Sequence, residues 1–196
     1  TGIVEKSRLK QNNTASAGCV LYLTKPLGVG VLTTAQKQKK LKPEHEFLAR
    51  DVMCQLNKAG ADFAAIEGVE AITDVTGFGL MGHLLEICEG SGVNAVVRYG
   101  DVPTLGPVKD YIALGCLPGG TTRNFESYGH KLALLSDEQR AVLCDPQTSG
   151  GLLVAVRPEQ ASAVEAVLAQ HELPCCRIGE LVATNTNNSA RIEVLA

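Results

Sequence analysis

Aromatic residues are scarce in this 196-residue chain, at 4%, and tryptophan is missing altogether. Proteins that bind single-stranded nucleic acid depend on aromatic side chains for base stacking. The charge balance is also slightly acidic, with 18 basic against 21 acidic residues, so no positive field would hold the chain on a phosphate backbone or an anionic membrane. Neither partner is expected. The 45% of apolar residues excludes a fibrous, collagen-like or wholly disordered chain.

CxxC pairs and long apolar runs are missing as well. Seven cysteines in an odd count fit neither a paired disulfide framework nor a zinc site, and they favour a reducing, cytoplasmic setting. No apolar run approaches the ~20 residues that cross a bilayer, so no membrane partner is expected. Cys54 and Cys88 lie in apolar helical patterns, which predicts buried thiols. The chain begins Thr1-Gly2 without an initiator methionine and is expected to be a piece of a longer protein.

Two regions differ in composition. Residues 1–17 are polar with few apolar anchors, which predicts a linker or arm from a missing N-terminal domain. Residues 18–196 are predicted to form one α/β domain. Because helices and strands alternate irregularly with short connections, we expect a mixed β-sheet flanked by helices, an α+β sandwich.

Individual elements follow from the apolar spacing. A single helix is expected over residues 43–60, ended by Gly60, and a long loop over residues 115–129. Residues 176–181 and 190–194 are expected to pair as antiparallel strands across the polar loop 185–188.

Residues 71–83 combine a carboxylate with a glycine-rich turn. Asp74 ends a predicted strand, and Thr76, Gly77 and Gly79 precede a predicted helix. Carboxylate oxygens suit Mg²⁺, and glycines let a phosphate approach a helix N-terminus. A dinucleotide site is disfavoured, although the glycines satisfy GxGxxG, because the acidic residue precedes them. The alternative is that Asp74 or Thr76 caps the helix and the glycines permit close packing.

Three other polar segments leave two interpretations open. Asp145, Thr148 and Ser149 precede paired glycines and a buried strand, which is typical either of a ligand-facing sheet edge or of an Asp-Pro turn. Arg123 in the Gly-Thr-rich segment could bind a phosphate or a carboxylate, or belong to a solvated loop. The lysines of residues 37–42 are similarly either a solvated helix end or a phosphate contact.

Four of these segments, in this order, resemble the selenophosphate synthetase (selenide, water dikinase) family: TKPLG at 24–28, ITDVTGFGL at 72–80, PGGTTRN at 118–124 and DPQTSGG at 145–151. The aspartate-threonine-glycine element alone is shared with aminoimidazole ribonucleotide synthetase, thiamine-monophosphate kinase and the hydrogenase maturation factor. All four segments together are far more specific, and the resemblance covers nearly the whole chain. It implies that the chain folds as the C-terminal domain of an enzyme of the aminoimidazole ribonucleotide synthetase-like superfamily.

The resemblance also implies an activity. The family makes selenophosphate, AMP and orthophosphate from selenide, ATP and water with Mg²⁺, which serves selenocysteine biosynthesis. Asp74 matches the metal-binding aspartate of the C-terminal half. The resemblance further implies six ligand-side residues: Thr76, Gly77 and Gly79 on the phosphate side, and Asp145, Thr148 and Ser149 as weaker candidates.

The family's reactive cysteine or selenocysteine, its lysine and most of its ATP and dimer contacts belong to an N-terminal half that is missing here. Neither Lys25 nor the seven cysteines match that context. The resemblance therefore implies a cytoplasmic homodimeric enzyme of which this chain alone is inactive. Two alternatives stay open: another ATP-dependent kinase or ligase of the superfamily, and a catalytically silent interaction module.

Overall fold

The structure, a computed structural model, describes residues 3–184 and 190–196. Its strands are β1 (Val20–Leu23), β2 (Val69–Asp74), β3 (Val93–Arg98), β4 (Leu152–Val156), β5 (Arg177–Ala183) and β6 (Ile192–Leu195). Its helices are α1 (Val29–Lys37), α2 (Leu48–Cys54), α3 (Ala59–Ala65), α4 (Gly79–Ser91), α5 (Val108–Ala113), α6 (Gly119–Tyr128), α7 (Asp137–Leu143) and α8 (Ala161–Gln170).

The six strands form one sheet in the order β2-β4-β1-β5-β3-β6. Every neighbouring pair is antiparallel except β3 and β6, which run parallel. Asp74 pairs with Leu152 and Leu23 pairs with Leu153, so β1 and β2 end where β4 begins. The polar segments that follow or precede these strands therefore meet at one edge of the sheet. The prediction of a mixed sheet flanked by helices is confirmed.

Helices cover both faces of the sheet, which explains why the sequence of β4 is continuously apolar. Leu153 and Ala155 belong to the core beneath α1, α4, α5 and α7, which we call the first face. Leu152, Val154 and Val156 belong to the core beneath α3 and α8, the second face. A strand that is buried on both faces shows no alternation of apolar and polar residues.

The N-terminal arm, residues 3–14, follows the exposed edge of β2. Ile72 N donates to Gln11 O (3.1 Å), and Thr14 Oγ1 donates to Glu70 O (2.6 Å). Most arm side chains are exposed. The division between an arm at 1–17 and a domain at 18–196 stays a prediction.

The helix expected over residues 43–60 is interrupted. After Cys54 the backbone of Gln55 is extended, and its carbonyl accepts a hydrogen bond from Lys25 Nζ (2.7 Å). This tertiary contact ends α2, and Gly60 lies inside the separate α3. Cys54, at the end of α2, is exposed, so the prediction of a buried thiol is wrong there and confirmed for Cys88.

Two other expectations are wrong. The long loop expected over residues 115–129 contains α6. β5 and β6 are not paired with each other, because β3 lies between them in the sheet. The turn expected at 185–188 lies outside the described residues.

Candidate functional site

A cleft of about 510 Å³ lies on the first face where the predicted polar segments converge. Helices α1 and α6 form its walls, and we call it the α1/α6 cleft. Its lining residues are Gly30, Thr33, Thr34, Lys37, Gly77, Leu117, Pro118, Gly119, Gly120, Arg123, Asn124, Pro146 and Thr148. Of the seven predicted site residues, Gly77 and Thr148 line this cleft.

Asp145 lies behind the cleft and is completely buried. Its Oδ2 accepts hydrogen bonds from Gly30 N (3.0 Å) and Gln147 Nε2 (2.7 Å), while Gln147 Oε1 accepts from the backbone N–H groups of Gly28 and Val29 (3.3 Å each). These groups satisfy the N-terminus of α1 internally. Burial raises the pKa of Asp145 to about 7, although the hydrogen bonds from Gln147 and Gly30 lower it in part. Direct contact between Asp145 and a ligand would need this loop to move.

Asp145→Asn is expected to flatten the pH dependence of the unfolding free energy. The folded protein keeps the Asp145 proton up to about pH 7, whereas the unfolded chain releases it near the ordinary value of 3.8. This contribution to stability is therefore fully present below about pH 4 and lost as the pH rises towards 7. Between about pH 5 and pH 8 the wild-type protein should lose on the order of 2 kcal/mol relative to the variant.

Urea titrations of both proteins at the two pH values measure that difference. Asp110→Asn, at an exposed position of α5, serves as the control and should keep the wild-type pH profile. Parallel profiles for wild type and Asp145→Asn would contradict the raised pKa.

Three predicted site residues lie between the end of β2 and the start of α4 in different environments: Thr76 and Gly77 in the loop, and Gly79 as the first residue of α4. Thr76 Oγ1 lies 3.1 Å from His83 Nε2, and His83 Nδ1 lies 3.3 Å from Glu86 Oε2. Neither Asp74 nor Thr76 caps α4, since its N-cap residue is Phe78 and no side chain caps it. The capping alternative is therefore wrong for both residues.

The glycine of the loop and the glycine that begins α4 differ. Gly77 is exposed, and its carbonyl accepts a hydrogen bond from Asn124 Nδ2 (2.8 Å), which ties the loop to α6. Gly79 is buried with a φ of +71°, and a Cβ there would lie 2.8 Å from the carbonyl carbon of Cys144. Gly79 thus allows the backbones to pack closely, whereas Gly77 faces the cleft.

Asp74 lies on the other side of this loop. Its exposed side chain lines a groove of about 760 Å³ between the arm, α3 and the end of β2. Among residues 3–184 and 190–196 its carboxylate has neither a hydrogen bond nor an ion pair. The same residues contain no group of three or more His, Cys, Asp or Glu side chains placed to hold a metal ion. Asp74 can therefore supply one ligand to a cation but not a complete site.

Lys25 fixes the loop that precedes β4. It is 1% exposed, and its Nζ donates to Gln55 O (2.7 Å) and Ser149 O (2.9 Å). Burial lowers the pKa of Lys25. Ser149 has an exposed side chain and a left-handed backbone, with a φ of +48°, so the lysine holds the loop in an unfavourable conformation.

The N-terminus of α6 lies in the segment that was predicted to be a loop. A usable signal was present: Thr121, Asn124, Phe125 and Tyr128 recur at helical spacing after Pro118. A regular helix of 10 residues therefore carries Gly119, Gly120 and Arg123.

Comparison with known proteins agrees with this architecture. Residues 16–190 match the family described as AIR synthase related protein, C-terminal domain. Thiamine-monophosphate kinase from Stenotrophomonas maltophilia K279a has a similar fold, with a TM-score of 0.68 and 17% identity over 97% of this chain and 54% of that chain. The hydrogenase maturation protein HypE gives a TM-score of 0.65 and 20% identity over 96% of this chain and 51% of its own.

Closer relatives are found by sequence. The selenide, water dikinase of Yersinia pseudotuberculosis is 58% identical over 195 residues, which are 100% of this chain and 56% of that protein. The one from Photobacterium profundum is 61% identical over 184 residues, 93% of this chain and 53% of that protein. The predicted resemblance is confirmed, and the chain spans about half the length of these relatives. By its sequence and its fold, the chain belongs to the AIR synthase related family, as a C-terminal domain of the kind found in selenide, water dikinases.

Proposed function

We propose that this chain is the C-terminal half of a selenide, water dikinase and supplies one Mg²⁺ ligand and phosphate-facing loops to an ATP site. The observation that carries the proposal is the position of Asp74. An unpaired carboxylate at a strand end faces an open groove, beside the N-terminal arm.

The chemistry of Asp74 fits Mg²⁺. Carboxylate oxygens are ligands that this cation prefers, and it usually takes one or two of them together with substrate phosphates. Bound Mg²⁺ would neutralise the charge that develops on a transferred phosphoryl group and align that group for attack. Because Asp74 is the only carboxylate among the described residues that line this groove, the remaining charged ligands would come from the upstream half and the nucleotide.

The other predicted residues divide into two roles under this proposal. Gly77 and Thr148 would face phosphate directly from the α1/α6 cleft, and the exposed Ser149 lies beside them in sequence. Thr76, Gly79 and Asp145 would act by holding the loops, through the contacts to His83, Cys144 and Gly30.

We assign selenide binding, most nucleotide contacts and the homodimer interface to the upstream half, and we place the enzyme in the cytoplasm. The seven cysteines are all free, which fits a reducing compartment. No helix in the described part of the chain is long and apolar enough to cross a membrane.

The test is selenide-dependent AMP formation by the full-length protein that contains this chain. Incubation with ATP, Mg²⁺ and selenide should yield AMP, orthophosphate and a selenophosphate signal in ³¹P NMR, and omission of selenide should abolish that signal. ATP turnover that depends on another acceptor would instead support a different kinase or ligase. Absence of all ATP turnover would support a silent interaction module.

A further inference from the structure

A buried histidine connects the β2–α4 loop to helix α4. His83 is 6% exposed, and the ring of Phe78 packs against it with the ring centroids 5.9 Å apart. Its Nε2 lies 3.1 Å from Thr76 Oγ1, and its Nδ1 lies 3.3 Å from Glu86 Oε2. A polar ring withdrawn from water is costly unless its nitrogens are hydrogen-bonded. Thr76 and Glu86 satisfy both nitrogens, and we call these three side chains the His83 network.

The carboxylate of Glu86 determines which ring nitrogen of His83 carries the proton. An ionised carboxylate only accepts hydrogen bonds, so Nδ1 is the donor to Glu86. In the neutral ring Nε2 is then the acceptor, and the Thr76 hydroxyl donates to it. The direction of both hydrogen bonds in the His83 network therefore follows from one acidic residue at its outer end.

Thr76 is the residue at which three segments meet. Its carbonyl accepts hydrogen bonds from Gly79 N at the start of α4 and from Gln147 N in the segment before β4 (3.0 Å each). Its hydroxyl contacts His83 in the second turn of α4. Threonine hydroxyls in loops otherwise bond to nearby backbone groups, which offers the loop other conformations. The contact to His83 removes that alternative for Thr76.

This junction lies between two residues of the candidate site. Asp74, two residues before Thr76, lines the groove beside α3, and Gly77, the next residue, lines the α1/α6 cleft. Among residues 3–184 and 190–196, the Thr76 hydroxyl makes the only side-chain hydrogen bond between residues 74–77 and α4. The orientation of α4 is therefore passed to the end of β2 through His83.

Burial of the ring alone would explain a role in stability. The position of its partner favours a further role, because His83 bonds to the loop next to the predicted metal ligand and not to another residue of the core. Hydrogen bonds that orient the groups around a metal ligand matter for function as well as folding, and removing one commonly costs about 10–100-fold in metal affinity or activity.

We propose that His83 is a positioning residue for the reaction: together with Glu86 it orients the Thr76 hydroxyl and thereby holds Asp74 where it binds Mg²⁺. This inference rests on the proposed function, since it takes Asp74 as the metal ligand. His83 is absent from the described residues that line the groove and the cleft, so it acts through Thr76.

The test uses the full-length protein and two pairs of variants. His83→Phe keeps a ring but removes both hydrogen bonds, whereas His83→Gln keeps an amide that reaches Thr76. Thr76→Val keeps the shape without the hydroxyl, and Thr76→Ser keeps the hydroxyl. His83→Phe and Thr76→Val should each raise the Mg²⁺ concentration for half-maximal AMP formation about tenfold or more, and the two conservative variants should stay within about threefold of wild type.

A second readout does not depend on turnover. Binding of Mn²⁺ in the presence of ATP, followed by electron paramagnetic resonance, should weaken in His83→Phe by the same factor. The double variant Thr76→Val/His83→Phe should be no worse than the poorer single variant, because both substitutions remove the same hydrogen bond. Ile87→Val is the matched control: it removes a methyl group from a completely buried residue of α4, and it should lower stability without changing the Mg²⁺ dependence.

Three results would overturn the proposal. One is a Mg²⁺ dependence of His83→Phe equal to that of Ile87→Val, which would leave His83 a role in stability alone. The others are equal losses in His83→Gln and His83→Phe, and independent losses that multiply in the double variant. If the wild type makes no AMP with selenide but binds Mn²⁺ with ATP, and His83→Phe weakens that binding, the proposed function fails and the positioning role stands. Absence of Mn²⁺ binding by the wild type would overturn both.

Discussion

Replacing Asp74 with asparagine in the full-length protein is expected to reduce Mg²⁺- and selenide-dependent AMP formation by about a hundredfold or more. Substitution of residues that only support metal ligands costs 10–100-fold in metal affinity or activity, so loss of a ligand itself should cost at least the upper end of that range. The amide keeps the size of the side chain but removes the negative charge that Mg²⁺ needs. Activity is measured as AMP released over time at several Mg²⁺ concentrations.

The fold should not change in this variant. Asp74 is exposed and has no hydrogen-bond or ion-pair partner among the described residues, so its unfolding free energy should stay within about 0.5 kcal/mol of wild type. Asp110→Asn removes an equivalent exposed carboxylate from α5 and should keep full activity. Binding of Mn²⁺ to the full-length protein with ATP, followed by electron paramagnetic resonance, gives a readout independent of turnover. Unchanged activity and unchanged Mn²⁺ binding in Asp74→Asn would contradict the proposal that Asp74 is a metal ligand.

The strand ends that carry the polar segments could be predicted from local sequence. Asp74 ends an apolar run, and Gly150-Gly151 precede another. Residues of these types mark the ends of strands wherever those strands lie in the sheet. Because β2 and β4 pair in antiparallel fashion, the end of one lies beside the start of the other. Local sequence therefore predicts where the strands end, whereas the pairing that brings these segments together is supplied by the fold.

Side-chain direction could not be predicted in the same way. Asp145 and Thr148 are three residues apart in one polar segment, yet Asp145 is completely buried against α1 and Thr148 is exposed at the cleft. The difference comes from Gly30, which lies more than a hundred residues away in the sequence. Its N–H donates to Asp145, and its lack of a side chain leaves room for that carboxylate. Likewise β6 pairs with β3 and not with β5, which depends on long-range packing that no local pattern encodes.

Gly77 in the β2–α4 loop and Gly79 at the start of α4 were indistinguishable by sequence, yet their replacement by alanine is expected to affect stability very differently. Gly79→Ala should lower the unfolding free energy by about 3 kcal/mol, because its left-handed φ of +71° costs a Cβ-bearing residue roughly 1 kcal/mol and overpacking adds about 1–3 kcal/mol. The added methyl would meet the Cys144 backbone at 2.8 Å, and a backbone cannot rotate away as a flexible side chain can.

Gly77→Ala is the matched control for this prediction. A Cβ at Gly77 would have no heavy atom within 4 Å beyond its chain neighbours, and its φ is not in the left-handed region, so stability should change by less than about 0.5 kcal/mol. Urea unfolding of both variants under identical conditions measures the difference. Equal destabilisation would mean that the loop relaxes as a unit around either methyl, and that close packing against Cys144 is not what requires a glycine at position 79. A large loss confined to Gly79→Ala would instead separate the motif into one glycine required by the fold and one that is free to face a phosphate.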